Sequence, residues 1–323
     1  MIDLISKPIL KELKEFDLFF KESLDSKVKI INTVIRYIIK NKGKCYRPIL
    51  CILCSKLTGK ESNELTYLSA STVEILHVAT LLHDDVVDDA TLRRGWPTIN
   101  KIWKNKLSIL VGDYMFSRSL KNISKHNSLE SINILADVSE RLSEGEIFQI
   151  QKAMTKQMDE GNYYKMIGDK TASLISASCL LGLSSNCQDS RLKKSISLFG
   201  EYLGIAYQIK DDLFDIVGNI GETGKNGHLD LKKNMLTLPY INMLSKLDDK
   251  NKSALLRKIK YHIKRNELNE LKTMIYESGA IDYTNMKIKY YSDLALNELN
   301  NFNSSDSLDA LKEAVHFNID RIK

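Results

Sequence analysis

Apolar residues recur at three- and four-residue intervals along almost the whole chain, and no sustained apolar–polar alternation interrupts them. That is the period an α-helix imposes on a buried face, whereas a half-buried strand alternates every second residue. An all-α protein is expected. Only 4 prolines and 15 glycines occur in 323 residues, and no stretch has a linker's composition. One domain over 1–323 is the economical reading, with ample chain for a sizeable core.

The periodicity predicts helices over 4–24, 28–40 and 47–57, then one from a cap at Ser62 or Asn63 to about Asp89. Arg93-Arg94-Gly95-Trp96-Pro97 reads as a break. Helices follow at 106–125, 128–154, 162–184 and 189–217, and the longest irregular segment is 218–234. Shorter helices are expected at 237–247, 251–263, 266–278, 281–301 and 306–321.

Two of these helices carry the pattern D-D-x-x-D: Asp84, Asp85 and Asp88, then Asp211, Asp212 and Asp215. On a helix, such carboxylates share one edge and repel one another. A cation offsets that cost, and hard oxygen donors suit Mg²⁺, which commonly takes one or two carboxylates, waters and substrate phosphates. A single acidic run is as readily a solvated helix end; a second copy in another apolar helix favours the metal.

The excess of 47 basic over 41 acidic residues is spread along the chain. Nucleic-acid binding leaves a concentrated basic stripe, and none is evident. The five cysteines, Cys45, Cys51, Cys54, Cys179 and Cys187, have no disulfide-framework spacing. Cys51 and Cys54 form a C-x-x-C inside an apolar helix, without a second ligand pair, and read as core. The start lacks a signal peptide's charged and apolar regions, and no run of uncharged apolar residues is long enough to span a membrane. A reducing cytoplasm is the expected compartment.

Several basic groups sit where a phosphate-rich ligand needs them, each weak alone. Gly43-Lys44-Cys45-Tyr46-Arg47-Pro48 brings two cations to a helix start. His77, two turns before the first cluster, reads by itself as a core histidine. Arg93 and Arg94 suit a diphosphate, since each guanidinium donates two parallel hydrogen bonds; surface pairing with Asp88 and Asp89 is the alternative. Gly168-Asp169-Lys170-Thr171 opens an apolar helix, and Gln208 precedes the second cluster. Gly224-Lys225 fails as a P-loop because Asn226 stands where Ser or Thr is needed.

In this order, with Gly112-Asp113, these motifs resemble the trans-isoprenyl diphosphate synthases, and within them the long-chain polyprenyl (octaprenyl-like) type that supplies quinone side chains. The motifs cover roughly residues 30–240. The resemblance implies an isoprenoid-synthase-type helical bundle around a deep central cavity, and Mg²⁺ held by Asp84, Asp85, Asp88, Asp211, Asp212 and Asp215. By similarity Arg93, Lys170, Thr171, Gln208 and Lys225 bind the allylic diphosphate, and Lys44, Arg47, His77 and Arg94 bind isopentenyl diphosphate. It also implies a homodimer, and transient peripheral membrane contact to release an apolar product. No protein acid or base is implied. The alternatives are a geranylgeranyl or farnesyl diphosphate synthase, or a non-catalytic partner subunit of a heteromeric synthase.

Two positions refine that expectation. The family's usual lysine after the second motif is here Met235, and loss of one preorganised donor can be worth about 3 kcal/mol; Lys232 or Lys233 is the expected compensation. Ala79 and Thr80 lie about one turn before Asp84. A small residue at 79 leaves the cavity floor open, which predicts a product longer than geranylgeranyl.

Overall fold

The computed structural model describes residues 2–125, 127–155, 158–217, 235–265 and 268–320. The first ten α-helices are α1 (Ile2–Ser6), α2 (Leu10–Ser23), α3 (Lys29–Lys40), α4 (Tyr46–Ser55), α5 (Glu64–Val87), α6 (Ile99–Ser124), α7 (Leu129–Thr155), α8 (Glu160–Ile167), α9 (Ser173–Ser184) and α10 (Ser190–Val217). Leu238–Ser245, Asp249–Arg265, Leu268–Glu277, Ala280–Leu299 and Asp306–Asp320 follow. Two compact units emerge, each discontinuous in sequence: Met1–Ser139, Leu174–Gly200 and Asn297–Ala314, and Glu140–Ser173, Glu201–Leu296 and Val315–Lys323.

In the first unit α5 is the central helix, packed most extensively on α6 and then on α4 and α2. It starts at a capping box: the Asn63 side chain accepts from the Thr66 N–H at 3.1 Å, and the Thr66 hydroxyl accepts from the Asn63 N–H at 3.2 Å. Between the two caps the sequence allowed, Asn63 is the one used. Its amide also donates to Ser185 O and Asn186 Oδ1, which ties the cap to the end of α9. By length and hydropathy α5 is able to cross a membrane, but 67% of its most apolar window is buried inside the protein, as in a core helix.

Two expectations are corrected here and a third, the break at Arg93–Pro97, gains its form. The helix foreseen over 4–24 is interrupted by a 3₁₀ turn at Lys7–Ile9, because Pro8 has no N–H for the α pattern. The break at Arg93–Pro97 is a two-stranded hairpin, with Leu92 opposite Pro97 and Arg93 opposite Trp96. Its central residues Arg94 and Gly95 have φ of 52° and 81°, the positive pair a tight hairpin requires. The following helix begins at Ile99 rather than 106, and Lys104, at φ 73° and ψ 158°, interrupts it.

In the second unit, the helix foreseen over 162–184 is broken: Gly168–Ala172 forms a π-helical turn between α8 and α9. Ile205, Ile209 and Leu213 recur every fourth residue on α10 and pack with Tyr163, Met166, Ile167, Leu238, Ile241 and Ile288. Met235 lies against this cluster. All five cysteines are free thiols, and Cys51 and Cys54 are buried in α4, as core packing requires.

Removing the α5 cap should be felt globally. Asn63→Ala is expected to lower stability by about 1–2 kcal/mol, read from urea unfolding; a loss below a few tenths would show that the cap contributes little.

Candidate active site

The first aspartate cluster sits at the C-terminal end of α5, where Asp88 is the cap residue and its N–H reaches Asp84 O at 2.8 Å. The negative end of the helix dipole makes this an unfavourable place for carboxylates. Asp85, 4% exposed, is neutralised internally. Arg93 donates from Nε and Nη2 to Asp85 Oδ1 at 3.0 and 2.8 Å, and from Nε to Oδ2 at 3.2 Å. Arg93 thus pairs with Asp85, onto which the hairpin turns its guanidinium. Asn100 and Thr98 hold the intervening turn through Ala90 O, at 3.1 and 2.7 Å. Asp84 is partly buried and Asp88 exposed. Beside them His83 Nε2 lies 3.2 Å from Asp113 Oδ1.

Two turns back along α5, Glu74 and His77 meet a cationic wall. Burial and the Arg47, Arg94 and Arg93 guanidiniums hold the pKa of His77 well below 6.5, so the ring is neutral at pH 7. Burial raises Glu74, against the pull of Arg47 and Arg94. The Cys45 thiol, hydrogen-bonded to Glu74, is pushed up to about 12 by burial and then by that carboxylate, and is no nucleophile. The Arg94 guanidinium lies flat on Gly43: a Cβ there would sit 2.0 Å from Arg94 Nη1.

A cavity of about 100 Å³ opens against this wall, with Lys42, Glu74, His77, Arg93 and Arg94 at its polar side and Leu81, Leu82, Trp96 and Ile99 among its apolar lining. Arg47 and Arg94 both lie close enough to act on His77, and of the three His77 and Arg94 line the cavity. Lys44 is exposed and not among the lining residues. Lys42, paired with Asp17 at 2.5 Å, faces the cavity instead.

The second unit builds a hydrogen-bonded relay. Asp212, 6% exposed, accepts from the Tyr163 hydroxyl at Oδ2 and from Gln208 Nε2 at Oδ1, both at 2.7 Å. Gln208 Oε1 in turn accepts from the Thr171 hydroxyl at 2.8 Å. Lys170 pairs with Glu146 and donates to Gln149 Oε1 at 3.0 Å. Lys170 and Thr171 do not open a helix; they lie in the π turn, and its extra residue sends one side chain to α7 and the other to α10.

Tyr163, Glu146 and Gln149 were not foreseen. Tyr163 lies within two turns of Gly168 in sequence, whereas Glu146 and Gln149 stand near no residue already singled out. Lys225, Lys232 and Lys233 lie outside the described residues. Ala79 is 1% exposed and Thr80 donates to His77 O at 2.8 Å, and neither lines the cavity above.

Among the described residues no three His, Cys, Asp or Glu side chains converge closely enough to hold a metal by themselves. That fits an ion arriving with a diphosphate, which needs only one or two protein carboxylates. Asp85 and Asp212, the second aspartate of each cluster, both serve protein hydrogen bonds.

A mostly helical chain with two aspartate clusters and a cationic wall beside α5 has structural counterparts. The decaprenyl diphosphate synthase of Rhodobacter capsulatus superposes with a TM-score of 0.93 at 30% identity over 100% of both chains. The Caulobacter crescentus polyprenyl synthase, solved with calcium and isoprenyl diphosphate, superposes at 0.90 and 29% identity over 100% of this chain and 98% of that one. The fold is the helical isoprenoid-synthase fold. The octaprenyl diphosphate synthase of Haemophilus influenzae is 31% identical over 99% of this chain and 97% of its own length. The polyprenyl synthetase family matches residues 28–277, and the chain belongs to it.

A neutral His77 has a measurable consequence. In the unfolded chain it protonates near pH 6.5, while in the fold it stays neutral to lower pH. Its contribution is therefore fully present above about pH 6.5 and is lost as the pH falls below it. His77→Asn is expected to flatten the acid-side decline in stability, followed by urea midpoints between pH 7 and 5; an unaltered slope would show that His77 is not the titrating group.

Proposed function

We propose that this prenyltransferase condenses isopentenyl diphosphate with an allylic diphosphate, building a long-chain all-trans polyprenyl diphosphate, a quinone side-chain precursor. The observation that carries the reading is the cavity beside α5, whose lining combines Lys42, His77, Arg93 and Arg94 with Leu81, Leu82, Trp96 and Ile99, next to the carboxylate cluster at the end of that helix. A short apolar chain bearing a diphosphate matches that polarity. The octaprenyl and decaprenyl products in the relatives' names support the long chain. The whole chain, 1–323, acts as a single catalytic domain in this reading.

In this reading Arg47, Arg94 and neutral His77 bind isopentenyl diphosphate, joined by Lys44 and by Lys42 from the cavity wall. Lys170, Thr171, Gln208, Arg93 and Lys225 hold the allylic diphosphate. Asp84, Asp85, Asp88, Asp211, Asp212 and Asp215 supply the carboxylate environment for Mg²⁺, which when bound helps neutralise the leaving diphosphate. The allylic C–O bond breaks as cationic side chains stabilise the growing charge on oxygen. The isopentenyl double bond then attacks the allylic cation, and the departing diphosphate takes the released proton. No side chain is needed as the base.

The reading extends to a homodimer in a reducing cytoplasm, with brief peripheral membrane contact when product leaves. An exposed apolar row on α6, including Ile102, Ile109, Leu110 and Leu120, supports self-association, and light scattering tests it.

Incubation with labelled isopentenyl diphosphate, each allylic primer and Mg²⁺ is expected to yield chains longer than geranylgeranyl. A well-folded sample that joins no five-carbon units at any Mg²⁺ concentration would refute the activity. Asp84→Ala and Asp211→Ala should each cut turnover by about a hundredfold or more, with melting temperature preserved. Ala79→Tyr, if it folds, should shorten the product; unchanged chain length would remove residue 79 from length control.

A further inference from the structure

The π turn that carries Lys170 and Thr171 is gripped from two sides. From α7, Arg141 Nε donates to Asp169 Oδ1 at 2.8 Å. The same guanidinium takes both oxygens of Glu201 on α10, Nη2 to Oε1 at 2.7 Å and Nη1 to Oε2 at 3.3 Å. Lys165 donates to the second oxygen of Asp169 at 3.0 Å, and the Ser173 hydroxyl to Asp169 O at 2.5 Å. Asp169 is thereby fixed at side chain and backbone.

The backbones close in as well. A Cβ on Gly145 would lie 3.0 Å from Lys170 N, and one on Gly204 only 2.5 Å from Ala172 Cα. The grip follows helix periodicity. Arg141, Gly145 and Gln149 recur every fourth residue on α7, and Glu201, Gly204, Gln208 and Asp212 share one face of α10. One end of each face holds the turn; the other end meets Lys170 or Thr171.

A π turn holds one residue more than an α turn, and one residue is about 100° of helical phase. Relaxation to α geometry would swing Lys170 and Thr171 away from their present partners. Something must therefore hold the wider turn.

We propose that Arg141 is a positioning residue for the allylic diphosphate site: its bridge between Asp169 and Glu201 keeps Gly168–Ala172 in π register, and so aims Lys170 and Thr171. This rests on the reading above that those two residues bind diphosphate. Arg141 itself touches no substrate. Its planar fork reaches two carboxylates on two elements at once, which a lysine cannot reproduce.

The test titrates inorganic pyrophosphate with Mg²⁺ into the full-length protein by calorimetry, beside steady-state kinetics and thermal melting. Arg141→Met is expected to weaken pyrophosphate binding and raise KM for the allylic diphosphate by about tenfold. KM for isopentenyl diphosphate should stay within about twofold, since a misplaced turn affects only the groups it carries. Arg141→Lys should fall between variant and wild type. Arg141→Met combined with Thr171→Ala should be no weaker than the worse single variant, because both act through one turn. If Arg141→Met folds poorly, Glu201→Gln keeps the shape, removes one charge and should shift pyrophosphate affinity the same way. A lower melting temperature with unchanged pyrophosphate affinity would make Arg141 merely structural and overturn the inference; equal rises in both KM values would do the same. Failure of the underlying reading looks different: wild-type protein then binds no pyrophosphate and Lys170→Ala changes nothing, which sinks both.

Discussion

Carboxylates at the wrong end of a helix are the constraint to which much of this protein answers. Both aspartate clusters occupy the last turns of long helices, α5 and α10, where the backbone dipole and neighbouring carboxylates each disfavour negative charge. The scale is about 0.3–1 kcal/mol per group for the dipole and a few tenths for each i,i+4 repulsion. The protein offsets part of this itself, and in the same position each time. The second aspartate of either motif is buried and satisfied by protein donors, Asp85 by Arg93 and Asp212 by Tyr163 and Gln208.

The cationic wall beside α5 poses the opposite problem. Arg47, Arg93 and Arg94 all act on His77, and a protonated imidazole would add a further positive charge to a partly buried surface. Neutral His77 avoids that while keeping one N–H to donate. Glu74, 6% exposed, lines the cavity beside α5 and lies close to Arg47 and Arg94, whose charges oppose the rise in its pKa that burial causes.

Helix positions and the aspartate, arginine and lysine motifs were legible because they follow local rules: a 3.6-residue period, a cap, a fixed spacing. Choices settled by tertiary partners were not. Tyr163 is indistinguishable in sequence from any apolar-face tyrosine until α10 brings Asp212 to its hydroxyl. Lys42 and Lys44 look equivalent, yet only Lys42 reaches the cavity wall. The π turn has no local marker, since Gly168-Asp169-Lys170-Thr171 also reads as a helix start. The Arg94-Gly95 hairpin was half visible: glycine announced a turn, but nothing nearby showed that the turn would deliver Arg93 to Asp85.

Met235 ties these points together. At the position where related chains usually carry a lysine, this chain has a side chain packed against the apolar cluster of Tyr163, Ile209 and Leu213. An ammonium there would have to leave that contact or be desolvated, at a cost of several kcal/mol if unpaired. The apolar choice therefore firms the floor beneath Tyr163 and the Asp212 helix, and removes one cation from the neighbourhood. Under the proposed chemistry the charge that grows on the leaving diphosphate then falls more heavily on the other cations of that site, Lys170 among them. Lys170 is held by Glu146 and Gln149 and set by a π turn that local sequence does not stabilise. The way Gly168–Ala172 sets that ammonium therefore bears directly on the proposed chemistry.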